Sequence, residues 1–203
     1  MNACQTRSRT LATACALLSG SCAIAASPED THLYLDVHDV GSVTVEAVAD
    51  AHRKDLAVQD QYGVRFIRYW VDDENGKIYC LAEAPNAAAV SEAHASAHGL
   101  VPQSVHEVTA GSEAPETGKT QLYLDVHHVG PGKVTPGDVA QAHEKDLAVQ
   151  GAHGVRFINY WVDPGAGDIF CLSEAPSAEA VLATHREAHG LVSDEVERVT
   201  EGK

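Results

Sequence analysis

His94 and His98 lie four residues apart, a spacing that on a helix stacks two imidazoles one turn apart on the same side. Two such rings can chelate one ion in adjacent coordination positions. His185 and His189 repeat the pair. His52 and Asp55 are spaced i, i+3 on the stripe that also carries Val48 and Ala51, so they face inward, and His143 and Asp146 repeat them. Were the two helices side by side, two imidazoles from one and an imidazole plus a carboxylate from the other would give three nitrogens and one oxygen, with water completing an octahedron. That donor set suits nickel, cobalt, copper or zinc, whereas calcium and magnesium demand more oxygens. The competing reading of any one His-x-x-x-His is a half-buried pair hydrogen-bonded to carboxylates and carbonyls.

A second constellation falls on alternating segments. Asp36 and His38 share a strand face, as do Asp125 and His127, and Glu83 and Glu174 join these candidates if their strand presents them to the same side. Cys80 and Cys171, inside IYCLAEAP and IFCLSEAP, read as small buried hydrophobes rather than nucleophiles. The Tyr69-Trp70 and Tyr160-Trp161 pairs read as packing residues. His32, His106, His128 and His153 have no histidine counterpart and read as surface residues, with His128 a possible extra ligand in one half only.

Positioning these residues requires regular elements, and the pattern supplies them. Residues 32–38 alternate as a strand, and Thr44 can cap a helix that runs to about Gln61 and stops at Gly63. Val64 to Val71 and Ile78 to Ala84 form strands around an Asp73-Glu74-Asn75-Gly76 turn, with Pro85 ending the second. A helix from about Asn86 to His98 closes at Gly99 and leads to a short strand near Val105 to Thr109. The order βαββαβ makes an antiparallel sheet with both helices on one face, a ferredoxin-like α+β unit.

That unit is written twice. LYLDVH, KDLAVQ, GVRFI, YWVD and AHGLV each recur in the same order, and three gap-free segments share 44 of 68 residues. The units span residues 31–110 and 121–203, and residues 111–120 have the composition of a linker. Each is small enough to need its partner's apolar face, so the expectation is two repeats stacked sheet to sheet as an intrachain pseudo-dimer, with further dimerisation open.

The chain has 203 residues and a formal charge of −15, which disfavours nucleic acid and anionic membranes as partners. Residues 1–26 read as a signal peptide: Arg7 and Arg9 precede an apolar, small-residue run ending in Ala23-Ile24-Ala25. The run is too short for a stable membrane span. Cleavage would leave Cys80 and Cys171, enough for at most one internal disulfide, in a periplasmic or secreted protein. A lipoprotein anchored at Cys22 is the weaker variant of this expectation.

The motifs DVHDV, AHRKDLAVQ, YWVDDENGKIYCLAEAP and HASAHGLV, and their counterparts DVHHV, AHEKDLAVQ, YWVDPGAGDIFCLSEAP and HREAHGLV, resemble the small bacterial nickel-binding ferredoxin-like family known as domain of unknown function 4242. The resemblance spans nearly all of both repeats. It implies a ferredoxin-like dimer fused into one chain, nickel as the ion, and the histidines of the DVH, AH..D and H...H motifs as candidate ligands. The leading expectation is thus a protein that buffers, stores or delivers nickel or a similar divalent ion without chemical turnover. The alternative is a dimeric α+β barrel enzyme acting on a small organic substrate between the sheets, with Asp36, His38 or Glu83 as acid or base.

Overall fold

The computed structural model describes residues 31–203; the expected signal segment and Cys22 lie outside the described residues. Strand β1 (His32–Asp39) leads to helix α1 (Val45–Tyr62), strands β2 (Arg65–Asp72) and β3 (Lys77–Ala84), helix α2 (Ala87–Ala97) and strands β4 (Ser104–Glu107) and β5 (Thr109–Ala110). The second repeat follows as β6 (Gln121–His128), α3 (Pro136–His153), β7 (Arg156–Asp163), β8 (Asp168–Ala175), α4 (Ala178–Ala188) and β9 (Glu195–Gly202). Local chemistry sets the helix ends. The side chains of Thr44, Asn86, Thr135 and Ser177 accept hydrogen bonds from backbone N–H groups of the first turns. Asp138 answers Thr135 in a capping box, and α1 ends at Gly63 in the left-handed region, φ 66°.

The repeats do more than stack. The strand order β4-β1-β3-β2-β9-β6-β8-β7-β5 runs through both halves. The last strand, β9, pairs with β6 of its own repeat through Glu195 to Val199 and then with β2 of the other through Thr200 to Gly202. In the same way β4 pairs with β1, and β5, one residue further along, pairs with β7. Since β4 and β5 are one run of chain interrupted only by Val108, the sheet closes into a barrel. Its interior is filled by Leu35, Trp70, Leu81, Leu124, Ile158, Trp161 and Leu172, with the two indoles 5.0 Å apart. Residues 111–120 follow β7: Gly111 N–H donates to Tyr160 O, and Ala114 N–H to Ile158 O.

Helices cover the outside of the barrel. Each β1 or β6 residue that alternates with the barrel-facing leucines therefore points into a layer between sheet and helices. That layer holds the chemistry.

Candidate metal centres

Asp36, in the middle of β1, is fully buried beneath α1 and α2. The β1–β3 register sets it opposite Cys80, and His38 two residues on shares its face. Helix α1 buries Val48, His52 and Asp55, one stripe at spacings of four and three, and α2 buries His94 on the facing side. Four donor residues, Asp36, His38, Cys80 and His94, come together with ligand atoms within 4.8 Å of one another, and Asp55, His94 and His98 form an overlapping group. The second repeat reproduces both with Asp125, His127, Cys171 and His185, and with Asp146, His185 and His189.

The central imidazole is held from both sides. His94 Nε2 lies 3.4 Å from Asp36 Oδ2, and Nδ1 lies 3.0 Å from Asp55 Oδ1. His98 Nδ1 accepts from Leu100 N–H at 3.2 Å, which turns its Nε2 toward Asp55 Oδ1 at 3.1 Å. In the second repeat, His185 makes the same contacts to Asp125 at 3.2 Å and Asp146 at 3.0 Å. Burial alone would push both imidazoles down, but the flanking carboxylates outweigh it and raise His94 to about 9 and His185 to about 10. Burial works the other way on Asp36, Asp55 and Asp125, and there the imidazoles prevail and hold the carboxyls below the usual range. Near neutral pH each centre thus holds a carboxylate–imidazolium–carboxylate triad. Burial pushes the Cys80 and Cys171 thiols well up, and both cysteines are free.

The donor set passes a test of fit to a metal. Asp125 Oδ1 is buried with no hydrogen-bond partner, as is His127 Nδ1, whereas in the first repeat Asp36 Oδ1 has His38 Nε2 at 3.0 Å. An unpaired buried carboxylate oxygen is costly unless a cation takes it up. A triad of two carboxylates and one imidazolium carries one net negative charge; exchanging the proton for a divalent ion makes it neutral. Nitrogen, oxygen and sulfur donors together suit a transition ion rather than calcium or magnesium.

Several expected ligands fall elsewhere. The spacing of α1 suggested His52 and His143 as donors, but their rings lie against aromatic side chains, 4.7 Å from Tyr69 and 4.8 Å from Tyr160, and line the centres without joining the donor groups. Glu83 pairs with Leu33 in the β1–β3 register, the opposite strand face from Asp36, and its carboxylate meets Arg65 at 2.6 Å. Glu174 accepts from Thr117. The acid–base set imagined between the sheets therefore does not assemble: Asp36 and His38 face the helices, Glu83 does not, and packed side chains fill the barrel. Three contributors were missed by sequence reasoning. Cys80 and Cys171 enter through cross-strand register, and Ser193 Oγ lies 2.6 Å from Asp125 Oδ2 where the first repeat has Pro102. Of the unmatched histidines, His106 is not at the surface; its ring packs against Phe170 between the repeats.

Fold and site together define a tandem ferredoxin-like barrel with repeated His/Asp/Cys clusters. The chain belongs to the SCO4226-like family, described as nickel responsive protein SCO4226-like, whose pattern matches residues 34–108 and again 123–199. SCO4226 from Streptomyces coelicolor A3(2), known from a crystal structure, is 44% identical over 38% of this chain and 93% of its own, with a TM-score of 0.36. A chlorite dismutase mutant from Candidatus Nitrospira defluvii matches 85% of this chain and 91% of its own at 8% identity and TM-score 0.50, a likeness of fold alone. A putative monooxygenase from Lactobacillus acidophilus NCFM matches 85% and 94% at 10% identity and TM-score 0.44. No curated protein matches the chain.

Proposed function

We propose that the protein binds divalent transition-metal ions, nickel first among them, and buffers, stores or hands them over without chemical turnover. One observation carries this reading: a buried group of one carboxylate, one thiol and two imidazoles occurs with the same residue types in both repeats, and in the second an oxygen of its carboxylate has no hydrogen-bond partner. The family's description supports nickel as the ion. Asp36, His38, Cys80 and His94 would hold the ion in the first repeat, with Asp55 and His98 beside them, and their counterparts in the second. The second centre is the roomier: an apolar cavity of about 130 Å³ reaches His185, His189 and Cys171, against about 30 Å³ in the first repeat. The basic and apolar opening segment supports a periplasmic or secreted setting.

Calorimetric titration of the untagged chain with nickel, cobalt, zinc and copper tests the proposal. At least one tight site per repeat is expected. The His94→Ala/His98→Ala variant should lose the first repeat's share and keep the second's, and His185→Ala/His189→Ala the reverse, with circular dichroism confirming the fold. Unchanged stoichiometry in both variants would remove the assignment.

A further inference from the structure

The two repeats agree at every position of the inner clusters but differ at one mouth of the barrel. There a polar cavity of about 240 Å³ is lined by both halves. On one side Lys77 is the register partner of Asp72 and pairs with Glu197 at 2.8 Å, and Asn75 Nδ2 donates to Asp72 Oδ2 at 2.6 Å. On the other side the matching positions hold Asp168, Asp163 and Ala166, so both the lysine and the amide have gone. Asp163 and Asp168 are now register partners, like charges directly opposite on neighbouring strands, which is destabilising without a cation.

Imidazoles fill the vacated space. His106, at the position of Glu197, has Nδ1 3.0 Å from Asp163 Oδ2 and 3.5 Å from Asp168 Oδ2. His128, at the position of Asp39, has Nδ1 2.7 Å from Asp168 Oδ1. Across the four replaced positions a lysine, an amide and two carboxylates give way to one carboxylate, one alanine and two imidazoles, so nitrogen donors take the place of both the cation and two of the anions. We propose that His106, His128, Asp163 and Asp168 form a further binding site for a divalent transition-metal ion, present once per chain and independent of the inner centres. Two nitrogens and two oxygens are donors of the right chemistry, and the adjoining cavity leaves room for water ligands. His128 is half exposed, so it can rotate onto an ion.

The simpler account is an inverted ion pair, His106 with Asp163 and Asp168 in place of Lys77 with Glu197. Nickel titration of the whole chain separates the two. The His106→Gln/His128→Asn variant should bind one ion fewer than the wild type, and nickel should broaden the ring resonances of His106 and His128 in the wild type. His94→Gln/His185→Gln should keep that ion and that broadening. His128→Asn alone, a change at an exposed residue, should weaken this site at least tenfold. Equal stoichiometry in the wild type and H106Q/H128N, with unbroadened resonances, would overturn the proposal and leave the inner centres untouched. Loss of an ion only in H106Q/H128N would uphold it even if the inner centres bound nothing.

Discussion

The imidazolium between two buried carboxylates governs how each inner centre responds to pH. A proton held to about 9 on His94 and about 10 on His185 must leave before these rings ligate, so binding near neutral pH releases protons. Apparent affinity should climb toward pH 9, well above the value of about 6 at which unperturbed histidines would set the fall. Calorimetry in buffers of different ionisation enthalpy should show about two protons released per inner ion near pH 7.5, one from the imidazolium and one from the coordinating thiol; no buffer dependence would contradict the triad. Stability of the metal-free protein follows the same groups. Their folded values lie above the ordinary 6.5, so their contribution is complete below 6.5 and lost as pH rises through about 9 to 10, with a slope of at most about 1.4 kcal/mol per pH unit for each. Burial lowers His52 and His143, whose contribution is present above 6.5 and lost as pH falls. Denaturant unfolding of the chelator-treated chain should therefore weaken between pH 7 and 10, and H94Q/H185Q should flatten that limb. The helix spacings exposed His94, His98 and Asp55 to sequence reading because i, i+4 geometry is local. Cys80 stayed hidden because its place depends on which residue of β1 it faces.

Among the elements, the boundaries were legible from caps and breakers: Thr44, Gly63, Pro85 and Asn86 each mark an end by their own local chemistry. The strand exchange was not, since β9 leaves its own repeat for β2 only when both sheets are in place. Glycine permits that crossing. A Cβ on Gly202 would lie 2.1 Å from the Tyr69 ring, and one on Gly111 would lie 2.1 Å from Tyr160. Tyr69 in turn lies against His52 at the rim of the first centre. Gly202→Ala should lower stability by about 1–3 kcal/mol through overpacking and weaken metal binding in the first repeat more than in the second. Unchanged thermal unfolding in that variant would show that the ring moves aside freely.

At the scale of the molecule, the barrel makes the repeats one cooperative unit. Trp70 and Trp161, one from each half, pack at a tilt of 52° in a shared core, and strands from both halves meet at the two seams. Tryptophan fluorescence and far-ultraviolet circular dichroism should report a single coincident unfolding transition; separated transitions would mean that each repeat holds itself together. The repeated pattern made tandem pairing evident from sequence, whereas closure of the ring required the pairing of β5 with β7 to be seen.

The short run 111–120 that follows β7 also ties assembly to covalent connectivity. Two free chains of this size would part on dilution, taking their shared core with them. Joined end to end, the halves meet at an effective concentration on the order of millimolar, whatever the amount of protein present. Ion capture by this molecule should therefore persist at dilutions that would strip a two-chain pair of its sites.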